Sequence, residues 1–343
     1  MQFCLSALNS ESLVRALPIL LITAVIFLNG ATDAPNTVAG AVSCGCLSYR
    51  RAALLCAVFN FLGMTVSCMF FPAVAKSVSE LTAYGEVSVT AALASVTVFT
   101  AVAWIFGIPT SESHALIAAL GGAELYFSGE TSSAFIGISL KSLLSCAVGA
   151  VLGAVFYIVS GTLKRRLSKI LGKPRSSEGR GSYQTGAVQE RTESVLAAVS
   201  SACHGMQDGQ KFAAMTAALA MGRSAVTDSV LPFSVILLCS SIMAAGSLCG
   251  GKRMIKKLGQ ELIKSERCDV IPADAAAAFS TLISTFFGIP VSTTYMKTCS
   301  MLGSAAACGK KADKRVAAEL FLTWIMTYPV CMLLSYIFCA VIH

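Results

Sequence analysis

Charge is what this sequence has least of. Only 13% of its 343 residues are Asp, Glu, Lys or Arg, and the mean hydropathy is +0.72. That excludes an ordinary set of soluble domains, in which about a quarter of residues are charged. With only His114, His204 and His343 available, no Cys/His quartet for zinc is expected. The 14 cysteines do not fill that gap. Their closest pair is Cys44 and Cys46, no C-x-x-C occurs, and most lie in apolar stretches where Cys acts as a small hydrophobe. There is no H-E-x-x-H, no nucleophile elbow and no P-loop. The net charge of +8 falls in short runs rather than a broad basic face, so no nucleic-acid partner is expected.

Long uncharged stretches are what the chain has instead. Residues 52–75, 87–111, 142–163, 229–251, 275–296 and 320–343 hold 22 to 25 residues each, and about 20 apolar residues span a bilayer. None alternates with period two, as the strands of a membrane barrel would. The expectation is an all-α polytopic protein of the cell membrane. Residues 18–28 could pass for a leader's apolar core, but they run into a polar segment, so no cleavable leader is expected.

Basic residues in short loops mark the cytoplasmic face. The richest stretch, 164–191, carries eight Lys and Arg against two Glu. It is placed inside, together with Arg50/Arg51, Lys252 to Arg267 and Lys310 to Arg315. The chain then divides into a first transmembrane repeat at 13–161, a basic cytoplasmic linker at 162–192 with a flexible core at 175–182, and a second repeat of opposite orientation at 193–343. Both termini fall outside. Each half reads as broken helix, helix, hairpin, helix. The hairpins break at Gly107-Ile108-Pro109 and Gly288-Ile289-Pro290, as re-entrant segments or as short helices meeting within the membrane.

An internal repeat supports this division. Asn29-Gly30-Ala31-Thr32-Asp33-Ala34-Pro35-Asn36 matches His204-Gly205-Met206-Gln207-Asp208-Gly209-Gln210-Lys211. Gly107-Ile108-Pro109-Thr110-Ser111-Glu112-Ser113-His114 matches Gly288-Ile289-Pro290-Val291-Ser292-Thr293-Thr294-Tyr295. The offsets are 175 and 181 residues. Inverted repeats of this kind place a binding site where the two copies meet.

The residue types at these points suit transport. A carboxylate inside a membrane is costly and faces a cavity or a partner. Asp33 and Asp208 follow 17 and 14 uncharged residues, beside Gly and Pro that would loosen a helix. Freed carbonyls, a carboxylate and amides such as Asn36 or Gln207 can hold a hard monovalent cation. The plainer reading is that both acids cap short helices. In the G-I-P segments, hydroxyl residues occupy the first turn of a new helix, where free N–H groups favour an anion. Ser111, Ser113, Ser292, Thr293 and Thr294 are therefore candidate oxyanion ligands, with N-capping as the structural alternative.

Both motif pairs resemble the inorganic phosphate transporter family, including its related bacterial sulfate permeases, and the resemblance covers about residues 16–341. It implies secondary active uptake of phosphate, or of sulfate, driven by sodium or protons, and suggests a homodimer. No other cofactor is implied. The departures matter: Thr32 stands for the usual Asn, Gln207 for its counterpart, and Lys211 where the sodium-coupled pattern has Asn, as in the bacterial branch. Three residues from Asp208 on one helical face, the Lys211 ammonium would occupy a sodium ion's place, leaving protons or one remaining sodium as the coupling ion. Lys211 and Asn36 join the candidate substrate ligands, and Asp33, Asp208, Gln207, Thr32 and Glu112 the coupling residues. Glu112 suits a proton carrier or an ion pair with Lys297 or Lys211, whereas His114 is expected to pack or hydrogen-bond only.

Sulfate is the nearest rival substrate. Phosphate carries a proton at neutral pH and can donate to Asp33 or Asp208, which favours it over an anion that only accepts. A passive channel and an intramembrane aspartate-dependent enzyme are the readings from other classes; the latter lacks the carboxylate cluster that metal-assisted transfer needs.

Overall fold

The computed structural model describes residues 10–82, 84–170, 180–221, 231–262 and 267–343. All regular elements among them are helical. Helix α1 (Ser10–Thr32) leads into a 3₁₀ turn (Ala34–Val38) and the short α2 (Ala39–Ser43). Then come α3 (Tyr49–Phe70), α4 (Ala73–Ser79), α5 (Gly85–Phe106), α6 (Glu112–Ser128) and α7 (Ser133–Ile170). The second half holds α8 (Arg180–Met221), α9 (Phe233–Cys249), α10 (Lys252–Lys256), a π-type turn (Lys257–Glu261), α11 (Arg267–Phe286), α12 (Thr293–Cys308) and α13 (Lys314–Ile342).

Five segments are long and apolar enough to cross a membrane: Ala16–Ser43, Tyr49–Phe70, Gly85–Phe106, Ser133–Leu163 and Lys314–Ile342. Their outward faces carry large apolar side chains such as Leu20, Leu54, Ile105, Ile158 and Leu322, all well exposed. Water would penalise such a surface, whereas lipid does not. The chain is an all-α, multi-pass membrane protein. Helix enters the expected linker from both ends, as far as Ile170 on one side and from Arg180 on the other. Residues 175–179 of its expected flexible core lie outside the described residues.

The two copies of the first motif differ in a way their sequences only hint at. In the first half the helix breaks at Asp33, and a 3₁₀ turn with Pro35 in its first positions follows. Proline has no N–H to continue the ladder and its ring clashes with the preceding turn. In the second half α8 runs unbroken past Asp208, so the expected discontinuity there is absent. Gly205 and Gly209 serve packing instead: a Cβ on Gly205 would lie 2.2 Å from the Asn60 carbonyl oxygen, and one on Gly209 2.3 Å from Met64 Cγ. Glycine loosens a helix but does not remove a donor, so the ladder survives.

The second motif pair is more alike. α5 and α11 end at Gly107 and Gly288, both left-handed with φ of +66° and +65°, the conformation glycine adopts most readily. The hairpin arms are unequal. α5 is a candidate span by itself, and its break docks on the far connector, where Arg253 Nη1 donates to the Ile105 carbonyl (2.8 Å). Gly288 docks on the other connector, accepting from Ser77 Oγ (2.7 Å). Each break thus rests on the α3–α4 or α9–α10 corner of the opposite half.

Packing between the halves is reciprocal. α1 packs on α9 as α8 packs on α3, and α6 on α13 as α12 on α7. Glycines make the close approaches: a Cβ on Gly30 would lie 2.1 Å from the Met243 carbonyl oxygen, and one on Gly246 2.1 Å from that of Phe27. Without a solvent-driven hydrophobic force, membrane helices associate through this kind of small-residue contact.

Candidate functional site

The reciprocal packing brings the α1 break, the middle of α8 and the starts of α6 and α12 together in the interior. Asp33, Asn36, Gln207, Asp208 and Lys211 are all at most 2% exposed. The aspartates meet at the start of α6. Asp33 Oδ2 accepts from the Glu112 backbone N–H (3.3 Å), and Asp208 Oδ1 accepts from Ser113 Oγ (3.0 Å).

Asp208 is held on every side. Lys211 Nζ donates to its Oδ1 at 2.7 Å, Asn29 Nδ2 donates to Oδ2 at 3.2 Å, and His204 Nε2 lies 3.3 Å from Oδ2. The ammonium also donates to Ser113 Oγ (2.5 Å) and to the Val291 carbonyl (2.8 Å). A carboxylate, a hydroxyl and a backbone carbonyl therefore surround one tethered cation, the oxygen set that a hard mobile cation would take. Asp33 has far less. Its Oδ1 finds no hydrogen-bond partner among the described residues, nor do Asn36 Oδ1 and Glu112 Oε2.

The five candidate hydroxyls separate by use. Ser111 caps α6 by accepting from the His114 N–H (3.2 Å), and Ser292 caps α12 by accepting from the Tyr295 N–H (3.1 Å), so the capping reading fits both. Ser113 is engaged by Asp208 and Lys211, and Thr294 Oγ1 accepts from Asn36 Nδ2 (2.9 Å). Of these five, Thr293 is the one whose hydroxyl has no partner among the described residues. It lines a cavity of about 20 Å³ with Asp33, Asn36, Ser200, Thr281 and Lys297. That space holds about one water molecule.

Other expected roles resolve as follows. Thr32 Oγ1 donates to Glu112 Oε1 (2.9 Å). Glu112 has no ion pair among the described residues: Lys211 takes Asp208 and Lys297 takes Asp274 (2.5 Å). Gln207 ties α8 to α11 and the second break, accepting from Thr285 Oγ1 (2.6 Å) and donating to the Ile289 carbonyl (2.8 Å). His114 is hydrogen-bonded to Ser111 and to Ser142 (2.9 Å) and stacks on Tyr295, as expected of a packing residue.

Sequence reading assigned no site role to Asn29, His204, Asn60 or Asp274. Asn29 and His204 are repeat equivalents and both reach the same carboxylate of Asp208, a signal the alignment of the two halves contains. Asn60 holds His204 by accepting from its Nδ1 (2.7 Å). Asp274 and Lys297 flank the uncharged run 275–296, whose ends fold back on each other.

Comparison with known proteins shows the family and the fold. The family model described as "Phosphate transporter family" matches residues 29–335. A Bacillus subtilis protein named "Probable low-affinity inorganic phosphate transporter" is 30% identical over 312 residues, covering 89% of this chain and 90% of that one. A Mycobacterium tuberculosis protein of the same name is 30% identical over 330 residues, covering 95% and 77%. A solved structure titled "The sodium-dependent phosphate transporter" superposes with a TM-score of 0.76 at 19% identity, covering 96% of this chain and 98% of that one, and so shows the same fold.

Proposed function

Because the chain belongs to the phosphate transporter family, we propose that it is a secondary active importer of inorganic phosphate, driven by a proton gradient and working by alternating access between its halves. The observation that carries the proton assignment is the Lys211 ammonium, enclosed by Asp208, Ser113 and Val291 oxygens. A cation built into the chain cannot leave with the substrate, so the coupling charge must be carried elsewhere. At the central site, Asp33 and Glu112, each with an oxygen unpartnered among the described residues, are the groups that take up and release it.

Phosphate would sit at the start of α12. Thr293 offers a free donor there, and Asp33 Oδ1 and Asn36 Oδ1 are free acceptors. Monohydrogen phosphate can use both kinds of group, whereas sulfate has no proton to give those acceptors. In its present closed form the cavity is too small for a tetrahedral anion, so loading and release require the packed halves to separate on one side at a time. The linker is assigned to the cytoplasm and both termini to the outside.

Uptake of labelled phosphate and sulfate into proteoliposomes, under an imposed proton or sodium gradient, tests substrate and coupling together. Phosphate is expected to accumulate with protons. Accumulation of neither anion would overturn the reading.

A further inference from the structure

The buried carboxyl of Glu193 has no part in the site above, and it lies at the end of a track. On α8, Glu193, Ser200 and Gln207 are seven residues apart and share one face, about 21 Å from first to last. On α11, Asp274, Ala278, Thr281 and Thr285 form the matching face. All seven are buried. The faces join at one end through the Thr285 to Gln207 hydrogen bond, beside the central site. Midway they enclose the small cavity that also touches Asp33, Asn36, Thr293 and Lys297. At the other end are Glu193, Asp274 and Lys297, towards the basic stretch assigned to the cytoplasm.

This inner end carries two carboxyls against one ammonium. Lys297 Nζ takes Asp274 Oδ1 at 2.5 Å. Asp274 Oδ2 and both oxygens of Glu193 have no hydrogen-bond partner among the described residues, although Glu193 is 0% exposed. The charged and titratable groups facing Glu193 are Asp274 from α11, Lys297 from α12 and Cys44 from the turn after α2. Asp274 lies against Gly40 of α2, where a Cβ would come within 2.6 Å of Oδ2. An ionised carboxylate without donors is costly in such surroundings, whereas a protonated one is neutral. The arrangement repels an anion and suits a proton.

We propose that Glu193 and Asp274 form a proton-exchange station at the inner end of this track, through which the coupling proton passes between Asp33 and the cytoplasmic face. One carboxyl gains the proton that its neighbour or a water gives up, and Ser200 and Thr281 line the way between. The proposal rests on the proton-coupled reading of the central site.

The test uses the full-length protein in proteoliposomes, with Glu193→Gln, Asp274→Asn and Glu193→Asp. Two signals are read: exchange of external labelled phosphate for internal phosphate, and proton-driven accumulation followed with a lumenal pH dye. Glu193→Gln is expected to exchange like the parent and to lose accumulation to the level of empty vesicles, and Glu193→Asp should retain both; Asp274→Asn, which also strands the buried Lys297 ammonium, is expected to lose accumulation with its exchange reduced. Retained accumulation in Glu193→Gln would overturn the station, as would loss of exchange in both Glu193 variants, which would mark the residue as structural. A parent that exchanges phosphate but accumulates it only with sodium would also overturn the station while leaving phosphate transport standing. A parent that does not exchange phosphate would sink the underlying reading.

Discussion

Asp33 and Asp208 occupy matching positions in the two halves and grip neighbouring residues of one helix start, the N–H of Glu112 and the hydroxyl of Ser113. Their surroundings are unequal. Asp208 is ringed by Lys211, Ser113, Asn29 and His204, whereas Asp33 keeps one oxygen without a partner among the described residues. Repeat symmetry would allow two equivalent coupling sites. In the proposed proton-coupled reading, the lysine fills one of them permanently and Asp33 is the carboxylate that changes partners.

Replacing Lys211 should expose that division of labour. Lys211→Met strands the Asp208 carboxylate, a loss of about 3–5 kcal/mol for a broken buried pair, so thermal unfolding in detergent should move down and uptake should vanish. Lys211→Asn restores an oxygen ligand and is expected to make uptake respond to sodium. A Lys211→Asn protein that transports at the parental rate regardless of sodium would contradict the assignment.

Two adjacent threonines should behave differently. Thr293 makes no hydrogen bond with its hydroxyl among the described residues, so Thr293→Val should change stability by no more than about 0.5 kcal/mol. Its effect should appear as a raised KM for phosphate. Thr294→Val removes the acceptor for Asn36 Nδ2 and should destabilise by about 1–3 kcal/mol. Unfolding midpoints and uptake kinetics on the same preparations separate the two.

The capping serines offer a control for the site. Ser111→Ala and Ser292→Ala each remove a helix cap, a loss of about 1 kcal/mol, with modest effects on uptake. Ser113→Ala withdraws the hydroxyl shared by Asp208 and Lys211 and should reduce uptake far more than either. Equal losses in all three would indicate that the start of α6 acts only as structure.

Glycine packing between the halves predicts a graded stability series. Gly30→Ala and Gly246→Ala each force a methyl against backbone oxygen, and overpacking of this kind costs about 1–3 kcal/mol. Gly137, in α7, has nothing within 4 Å of an added Cβ. Gly137→Ala should be neutral or stabilising by about 0.5–1 kcal/mol. Thermal unfolding of the three variants reads the difference.

Much of this protein is written in local sequence. A span is set by the length of an uncharged run, because the bilayer tolerates few charges and demands that backbone groups bond within their own helix. The duplication is visible in order and offset, and Gly107 and Gly288 terminate their helices by a conformation that depends on each residue alone. What could not be read locally is how the two copies diverge in space. Pro35 breaks α1 while Gly205 and Gly209 let α8 run on, since one residue removes a donor and the others only give up a side chain. Ser111 and Ser292 turn inward as caps while Thr293 stays free, and Asp274 meets Lys297 across 23 residues of chain. Those outcomes depend on which helices lie within a few ångströms of one another, and that is decided by the fit of small residues between the halves rather than by any one segment.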